Sequence, residues 1–299
     1  MSRTSRWALV LAIANWIGCA SGPPEPMVIA HRGASGLAPE PMVIAHRGAS
    51  GLAPEHTLAA YDLAIELGAH TLEQDLQMTR DGVLVILHDE TLDRTARGPA
   101  ENCTGPVHEK TLAELGTCDF GVWFDDRVPG AGARFAGQKI VTLEALIQRY
   151  GTRVLYYIET KHPEHAPGVE QALLSMLAIH QLLPREGEEP HVIVQSFSSE
   201  SLRSIHALQP DLPLVQLLED DLDEPLDDEF GAIAEYAVGI GPPRSQVDST
   251  LMAAARRHGL VVHPYTVNER AEMTRLLDLG VEGLFTDRPD RLVELLRQP

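Results

Sequence analysis

Three carboxylates, two histidines and two cations stand at or near the ends of apolar runs in the first part of this 299-residue chain. Glu73 and Asp75 lie two apart in the run Thr71–Gln77. On a strand that spacing points both side chains the same way. Two carboxylates held together repel, and burial raises a pKa unless a cation joins them. Glu159 ends another run, Arg153–Glu159, and would supply a third oxygen ligand. An all-oxygen set suits a hard divalent ion, Ca2+ or Mg2+, better than Zn2+. His46 closes the run Met42–His46 and His88 closes Val83–His88. With an unperturbed pKa of about 6.5, one imidazole can act as base and the other as acid near neutrality. Arg47 and Lys161 are the cations a phosphate would meet, one as a planar fork and one as a point charge. Each competes with a plainer role, since an E-x-D pair is often a solvated acidic face and either cation could simply bridge to it. The link Thr79-Arg80-Asp81-Gly82 is too short for a parallel crossover. A local antiparallel excursion is therefore expected within 75–88, placing His88 opposite Glu73 or Asp75 according to register.

The elements that must carry these residues follow from the pattern of apolar runs. Further strand segments are expected at His191–Gln195, Leu212–Leu218, Ala237–Ile240, Leu260–Thr266 and Gly283–Phe285. Helical periodicity fills the gaps at His56–Leu67, Leu143–Tyr150, Val169–Leu183, Ser199–Leu208, Gln246–His258, Glu269–Leu279 and Pro289–Arg297. Repeated β-α-β alternation implies an α/β fold with a largely parallel sheet under helices. Eight or nine strands, with no G-x-G-x-x-G after the first, favour a closed (β/α)8 TIM barrel over an open dinucleotide fold. Strand C-termini converge on one face of such a barrel, which is where its sites are built. The rhythm stops between about residues 90 and 141, between the third and fourth strand segments. That stretch reads as an inserted loop or small subdomain at the catalytic end.

The run His46-Arg47-Gly48-Ala49-Ser50-Gly51-Leu52-Ala53-Pro54-Glu55-His56-Thr57 resembles the opening motif of glycerophosphodiester phosphodiesterases. Glu73-Gln74-Asp75, Asp81-Gly82, His88-Asp89 and Ile158-Glu159-Thr160-Lys161 resemble later motifs of the same family, as do Gln195-Ser196-Phe197, Tyr265-Thr266-Val267-Asn268 and Phe285-Thr286-Asp287-Arg288-Pro289-Asp290. The resemblance runs from Met42 to the C-terminus. It implies hydrolysis of a glycerophosphodiester to glycerol 3-phosphate and an alcohol. His46 and His88 would form the acid–base pair, and Glu73, Asp75 and Glu159 would hold one divalent cation. Arg47 and Lys161 would contact the phosphate, and the glycerol 2-hydroxyl would be the nucleophile. His56 stands where the family usually has Asn, and Tyr265 where many members have Trp. Both departures bear on substrate fit more than on chemistry.

Two other activities remain open on these residues. A lysophospholipase D-type enzyme on the same scaffold could use Leu112, Leu115, Trp123 and Phe124 as an apolar wall for an acyl chain, although those residues equally suit a small core of the insertion's own. A non-catalytic surface lipoprotein would have no reason to keep every catalytic group.

The N-terminus reads as an export signal. Arg3 and Arg6 precede the apolar stretch Trp7–Ile17, too short for a comfortable transmembrane span. Trp16-Ile17-Gly18-Cys19 resembles a bacterial lipoprotein box, with Cys19 as the acylated residue, and cleavage after Ala20 is the rival. Residues 1–20 are thus assigned to the signal and 42–299 to the barrel. The expected location is the periplasm or cell envelope, with a membrane surface as partner through the lipid. Three cysteines occur in all. If Cys19 carries lipid, Cys103 and Cys118 remain as a pair, and a disulfide between them would stabilise by about 3 kcal/mol. The linker 21–41 holds most of a tandem duplication: residues 24–38 recur as 39–53. Only the second copy leads into a helix pattern, so His46 and not His31 is assigned to the site. A net charge of −19 excludes a basic nucleic-acid-binding surface.

Overall fold

The computed structural model describes residues 40–127, 133–185, 187–219 and 226–298. The expected export signal, Cys19 and the first copy of the duplication with His31 lie outside the described residues. Ten strands occur among those described: β1 (Met42–Ala45), β2 (Thr71–Met78), β3 (Leu84–Ile86), β4 (Val141–Thr142), β5 (Leu155–Thr160), β6 (Val192–Ser196), β7 (Leu214–Leu217), β8 (Gly239–Gly241), β9 (Val261–Val262) and β10 (Gly283–Thr286). Eight of them pair in parallel in the order β10-β1-β2-β5-β6-β7-β8-β9. Backbone bonds from Glu282 N–H to Val262 O (3.3 Å) and from Phe285 N–H to Pro264 O (3.1 Å) join the two ends and close the barrel.

Strand alternation sorts the side chains into two compartments. On β2, Leu72 and Leu76 pack outward with the surrounding helices; on β5, Tyr156 and Ile158 do the same. The intervening positions face inward. Ile44, Leu155, Tyr157, Ile193, Val215 and Phe285 fill the barrel interior. By the same period of two, Glu73, Asp75, Glu159 and Lys161 rise above that apolar plug toward the strand C-termini. The helices start with side-chain caps where the sequence offers them: Thr57 accepts from Ala60 N–H, Thr142 from Ala145 N–H, and Asp248 from Leu251 N–H.

The structure revises the expected strand count. Val83–His88 is not a barrel strand, because β3 runs antiparallel to β2 with Leu76 opposite Ile86 and Met78 opposite Leu84. The two-residue β4 then returns antiparallel to β3. β2 overshoots the barrel rim, and the turn at 79–82 folds the chain back on it. The insertion therefore leaves between the second and third barrel strands. Its core gathers Leu87, Leu92, Val107, Leu115 and Phe120 around the cystine. Cys103 and Cys118 are joined by a disulfide, with Cα atoms 5.7 Å apart. Short helices at Ala100–Cys103, Leu112–Leu115 and Val122–Asp125 surround it. The helix Leu226–Ile233 was not foreseen, as its acidic start and internal Gly231 break the apolar period.

Candidate active site

The first motif sits on a loop bent by two successive left-handed residues. Arg47 has φ 57° and Gly48 φ 83°. A Cβ on Gly48 would lie 2.8 Å from the Ala60 carbonyl carbon, so only glycine fits there. The bend aims the Arg47 N–H at Glu73 Oε2, 2.6 Å away. The Arg47 side chain reaches Glu55 Oε1 at 3.0 Å and Asp75 Oδ2 at 3.4 Å. Lys161 Nζ lies 2.8 Å from Glu159 Oε1 and 3.8 Å from Asp75 Oδ1. Asp75 and Glu159 are direct Cα partners across β2 and β5. The three carboxylates and two cations singled out in the sequence thus meet at one mouth, leaving one negative charge in excess.

That excess shows in their acidities. Burial and repulsion from Asp75 and Glu159 push Glu73 well above the usual carboxylate range. Burial and Asp75 push Glu159 up to about 8. Asp75 is held well below its ordinary value: burial opposes this, but a hydrogen bond from His56 and the charges of Lys161 and Arg47 outweigh it. The mouth therefore holds more carboxylate than its own cations can keep ionised. A divalent cation is the group that would relieve it.

His46 and His88 are each oriented through Nδ1. His46 Nδ1 lies 2.7 Å from Asp287 Oδ1, across 241 residues of sequence. Asn268 fixes that carboxylate, since its Nδ2 donates to Asp287 Oδ2 at 2.7 Å while its Oδ1 accepts the Asp287 N–H at 2.9 Å. His88 Nδ1 lies 2.7 Å from Asp89 Oδ1. In both cases the carboxylate requires a proton on Nδ1, which leaves Nε2 as the basic nitrogen. Burial and the Arg47 charge lower the His46 pKa, with Asp287 pulling the other way.

His88 does not lie opposite Glu73 or Asp75. The bond from Leu87 N–H to Asp75 O (2.9 Å) extends the β2–β3 register and puts His88 level with Gln74. Arg94 ties it to the mouth, donating to Asp89 Oδ1 at 2.9 Å and to Glu55 Oε2 at 2.8 Å. Glu55 in turn bonds Arg47. Burial would raise Glu55, yet Arg94 and Arg47 hold it at about 2.

His56 has a larger part than its sequence position suggested. It is 3% exposed, with Nε2 2.7 Å from Asp75 Oδ2 and Nδ1 2.8 Å from the Tyr61 hydroxyl. The ligand atoms of His56, Glu73 and Asp75 all lie within 4.8 Å of one another. A reading based on substrate fit missed this, because a loop residue with φ 58° carries no strand phase to reveal its direction. Phe197 and Tyr265 also reach the rim, their rings 6.0 Å apart and edge to face, with Lys161 Nζ 5.8 Å above the Phe197 ring. Leu115 and Trp123 are buried, and Leu112 packs on the insertion's core. Phe124 stands edge-on to both Trp123 and Phe135.

A sequence profile of the glycerophosphoryl diester phosphodiesterase family matches residues 46–291, from His46 to beyond Asp287. The chain belongs to that family. Glycerophosphodiester phosphodiesterase of Bacillus subtilis strain 168 is 44% identical over 270 residues, which are 90% of this chain and 85% of the relative. A glycerophosphodiester phosphodiesterase of Caldanaerobacter subterraneus is 35% identical over 92% of this chain and 99% of its own. Among solved structures, an Oleispira antarctica phosphodiesterase in complex with the product sn-glycerol-3-phosphate superposes with TM-score 0.74 at 26% identity. It covers 86% of this chain and 97% of that one. The protein is therefore a phosphodiester hydrolase on a (β/α)8 barrel, and the network at its mouth is the candidate phosphodiesterase centre.

Proposed function

We propose that this phosphodiesterase cleaves a glycerophosphodiester to glycerol 3-phosphate and an alcohol, using the two carboxylate-oriented histidines as its acid–base pair. The observation that carries the reading is the pairing of His46 with Asp287 and His88 with Asp89, each through Nδ1. Two imidazoles with free Nε2 atoms can exchange roles, one taking the proton of the attacking hydroxyl and the other protonating the leaving oxygen. The glycerol 2-hydroxyl is the nearest nucleophile such a substrate carries: its attack on phosphorus expels the alcohol and leaves a cyclic phosphate, which water then opens to glycerol 3-phosphate with the roles of the two histidines exchanged. Arg47 and Lys161 supply positive charge for the phosphoryl oxygens once a substrate competes with the carboxylates they now bridge. Glu73, Asp75 and Glu159 would hold one hard divalent cation, Ca2+ or Mg2+, with His56 fixing the orientation of Asp75. When bound, that ion supplies Lewis-acid stabilisation of charge on phosphorus. Burial of Leu115 and Trp123 in the insertion's own packing favours the glycerol-linked substrate over an acylated one. Export to the cell envelope, with lipid on Cys19, is proposed with it, and the Cys103–Cys118 disulfide supports an oxidising compartment.

The test is release of glycerol 3-phosphate from glycerophosphocholine by the purified chain, untreated, with EDTA, and with Ca2+ or Mg2+ restored. Activity lost to the chelator and returned by one ion supports the reading. Undiminished turnover in EDTA rejects the metal. Turnover of lysophosphatidylcholine alone rejects the substrate.

A further inference from the structure

Outside the mouth, a second group of ligating side chains gathers where the insertion meets the barrel. Glu90 and His108 belong to the insertion, and His165 to the loop after β5. The ligand atoms of these three lie within 4.8 Å of one another. His162, Glu164 and His165 form a second such set sharing His165. The placement is built by backbone contacts. Val107 N–H donates to Glu90 O at 3.0 Å, which brings His108 beside Glu90. His165 N–H donates to His162 O at 2.9 Å, closing the short 3-10 turn Pro163–His165. Across the gap, His165 Nδ1 approaches Glu90 Oε1 at 3.0 Å. The His108 and His165 rings are 5.7 Å apart, and His162 stacks on His165 at 5.9 Å with planes 15° apart. His162 is held at φ 44°, a left-handed conformation that non-glycine residues adopt at a cost and that recurs at functional sites.

We propose that Glu90, His108 and His165 form a second divalent-metal site, for a nitrogen-preferring ion such as Zn2+, with His162 at hand for the fourth position. The donor set separates this site from the catalytic mouth. Two or three imidazoles and one carboxylate suit Zn2+, whereas an oxygen-rich set suits Ca2+ or Mg2+. A tetrahedral Zn2+ with bonds of about 2.0–2.2 Å needs ligand atoms about 3.4 Å apart. The three ligand atoms already lie within 4.8 Å of one another, His165 Nδ1 and Glu90 Oε1 at 3.0 Å, and the side chains are not locked by full burial. An ion here clamps the insertion to the loop after β5. Glu90 is two residues from His88, and His162 follows Lys161 directly, so occupancy fixes the rim on which a proton carrier and a phosphate-binding cation stand.

The experiment is equilibrium dialysis of untagged protein against Zn2+, with bound metal measured on wild type, His108→Ala, His165→Ala and a Glu73→Gln/Asp75→Asn double variant. The expected result is one Zn2+ retained by the double variant and bound at least about tenfold more weakly by each histidine variant. Substituting Co2+ gives a second readout that does not depend on the double variant folding. Wild type should show the visible absorption of a tetrahedral nitrogen-ligated ion, and His108→Ala should lose it. Equal Zn2+ uptake by wild type and the histidine variants, or a Co2+ spectrum unchanged in His108→Ala, overturns the proposal.

Discussion

Replacing Asp287 by Asn tests the link between His46 and its carboxylate with almost no change in volume. Asp287 accepts on two sides, from Asn268 Nδ2 at 2.7 Å and at His46 Nδ1, also at 2.7 Å. The Asn268 amide cannot turn, because its oxygen is held by the residue 287 N–H. An amide at 287 must therefore fail one neighbour. If its NH2 faces Asn268, two donors oppose each other and the loop loses its anchor. If its NH2 faces His46, Nδ1 becomes an acceptor and the ring proton moves to Nε2, which can no longer take a proton from a hydroxyl. Loss of a charge-assisted hydrogen bond costs about 1.5–3 kcal/mol, or about 10- to 150-fold in rate. A fully reversed tautomer costs more, on the order of 10^4 where an Asp behind a catalytic His becomes Asn in a serine protease. The expectation is a fall in kcat/KM between these limits, measured as glycerol 3-phosphate release. The carboxylate also raises the His46 pKa against burial and Arg47, so removing its charge lowers that pKa further. The acid limb of the rate profile should move to lower pH. A kcat/KM within about threefold of wild type and an unmoved acid limb would refute the role given to His46.

Four other outcomes follow from the same geometry. His56→Ala removes a donor to the buried Asp75 and should weaken divalent-ion binding by about 10- to 100-fold in calorimetry, with His56→Asn recovering part because an amide can still donate. Unchanged affinity would return His56 to a packing role. The Cys103→Ser/Cys118→Ser double variant should lose about 3 kcal/mol in a denaturant titration, and a reducing agent should mimic it in wild type but not in the variant. Glu159 has its folded-state pKa raised from 4.5 to about 8, so the folded chain binds more protons there than the unfolded chain between those values. The metal-stripped protein should then gain stability as pH falls from about 8 toward 4.5, and saturating metal should flatten that slope; a stripped protein that loses stability over this window would contradict the crowded mouth. The Glu55 carboxyl, held at about 2, works the opposite way, and its share of stability should be lost only below about pH 4.5.

The residues that alternation could place were legible from the chain alone. Glu73, Asp75 and Glu159 share one side because a strand has period two, and the apolar residues between them fix which side is inward. Arg47 and Lys161 followed by adjacency. Positions set by loops were not legible. The register of β3 depends on how Thr79 and Val83 bond across the turn, with Thr79 N–H to Val83 O at 3.0 Å, and that choice put His88 against Gln74. Asp287 as the partner of His46 could not be read locally, because barrel closure and not sequence distance brings them together. His56 departs from the motif's usual Asn, and its direction is set by the left-handed turn around it rather than by any strand phase.

Closure has a consequence in time. β1 and β10 are the first and last strands of the barrel, and they are neighbours, with Ala45 opposite Thr286. The ring nitrogen that must carry a proton and the carboxylate that directs it lie just beyond that seam. While the chain is being synthesised, one half of this pair is present without the other. No partial product of translation, and no chain cut before its last strand, can assemble an oriented His46. A His46 oriented by Asp287 thus exists only once the ring has shut.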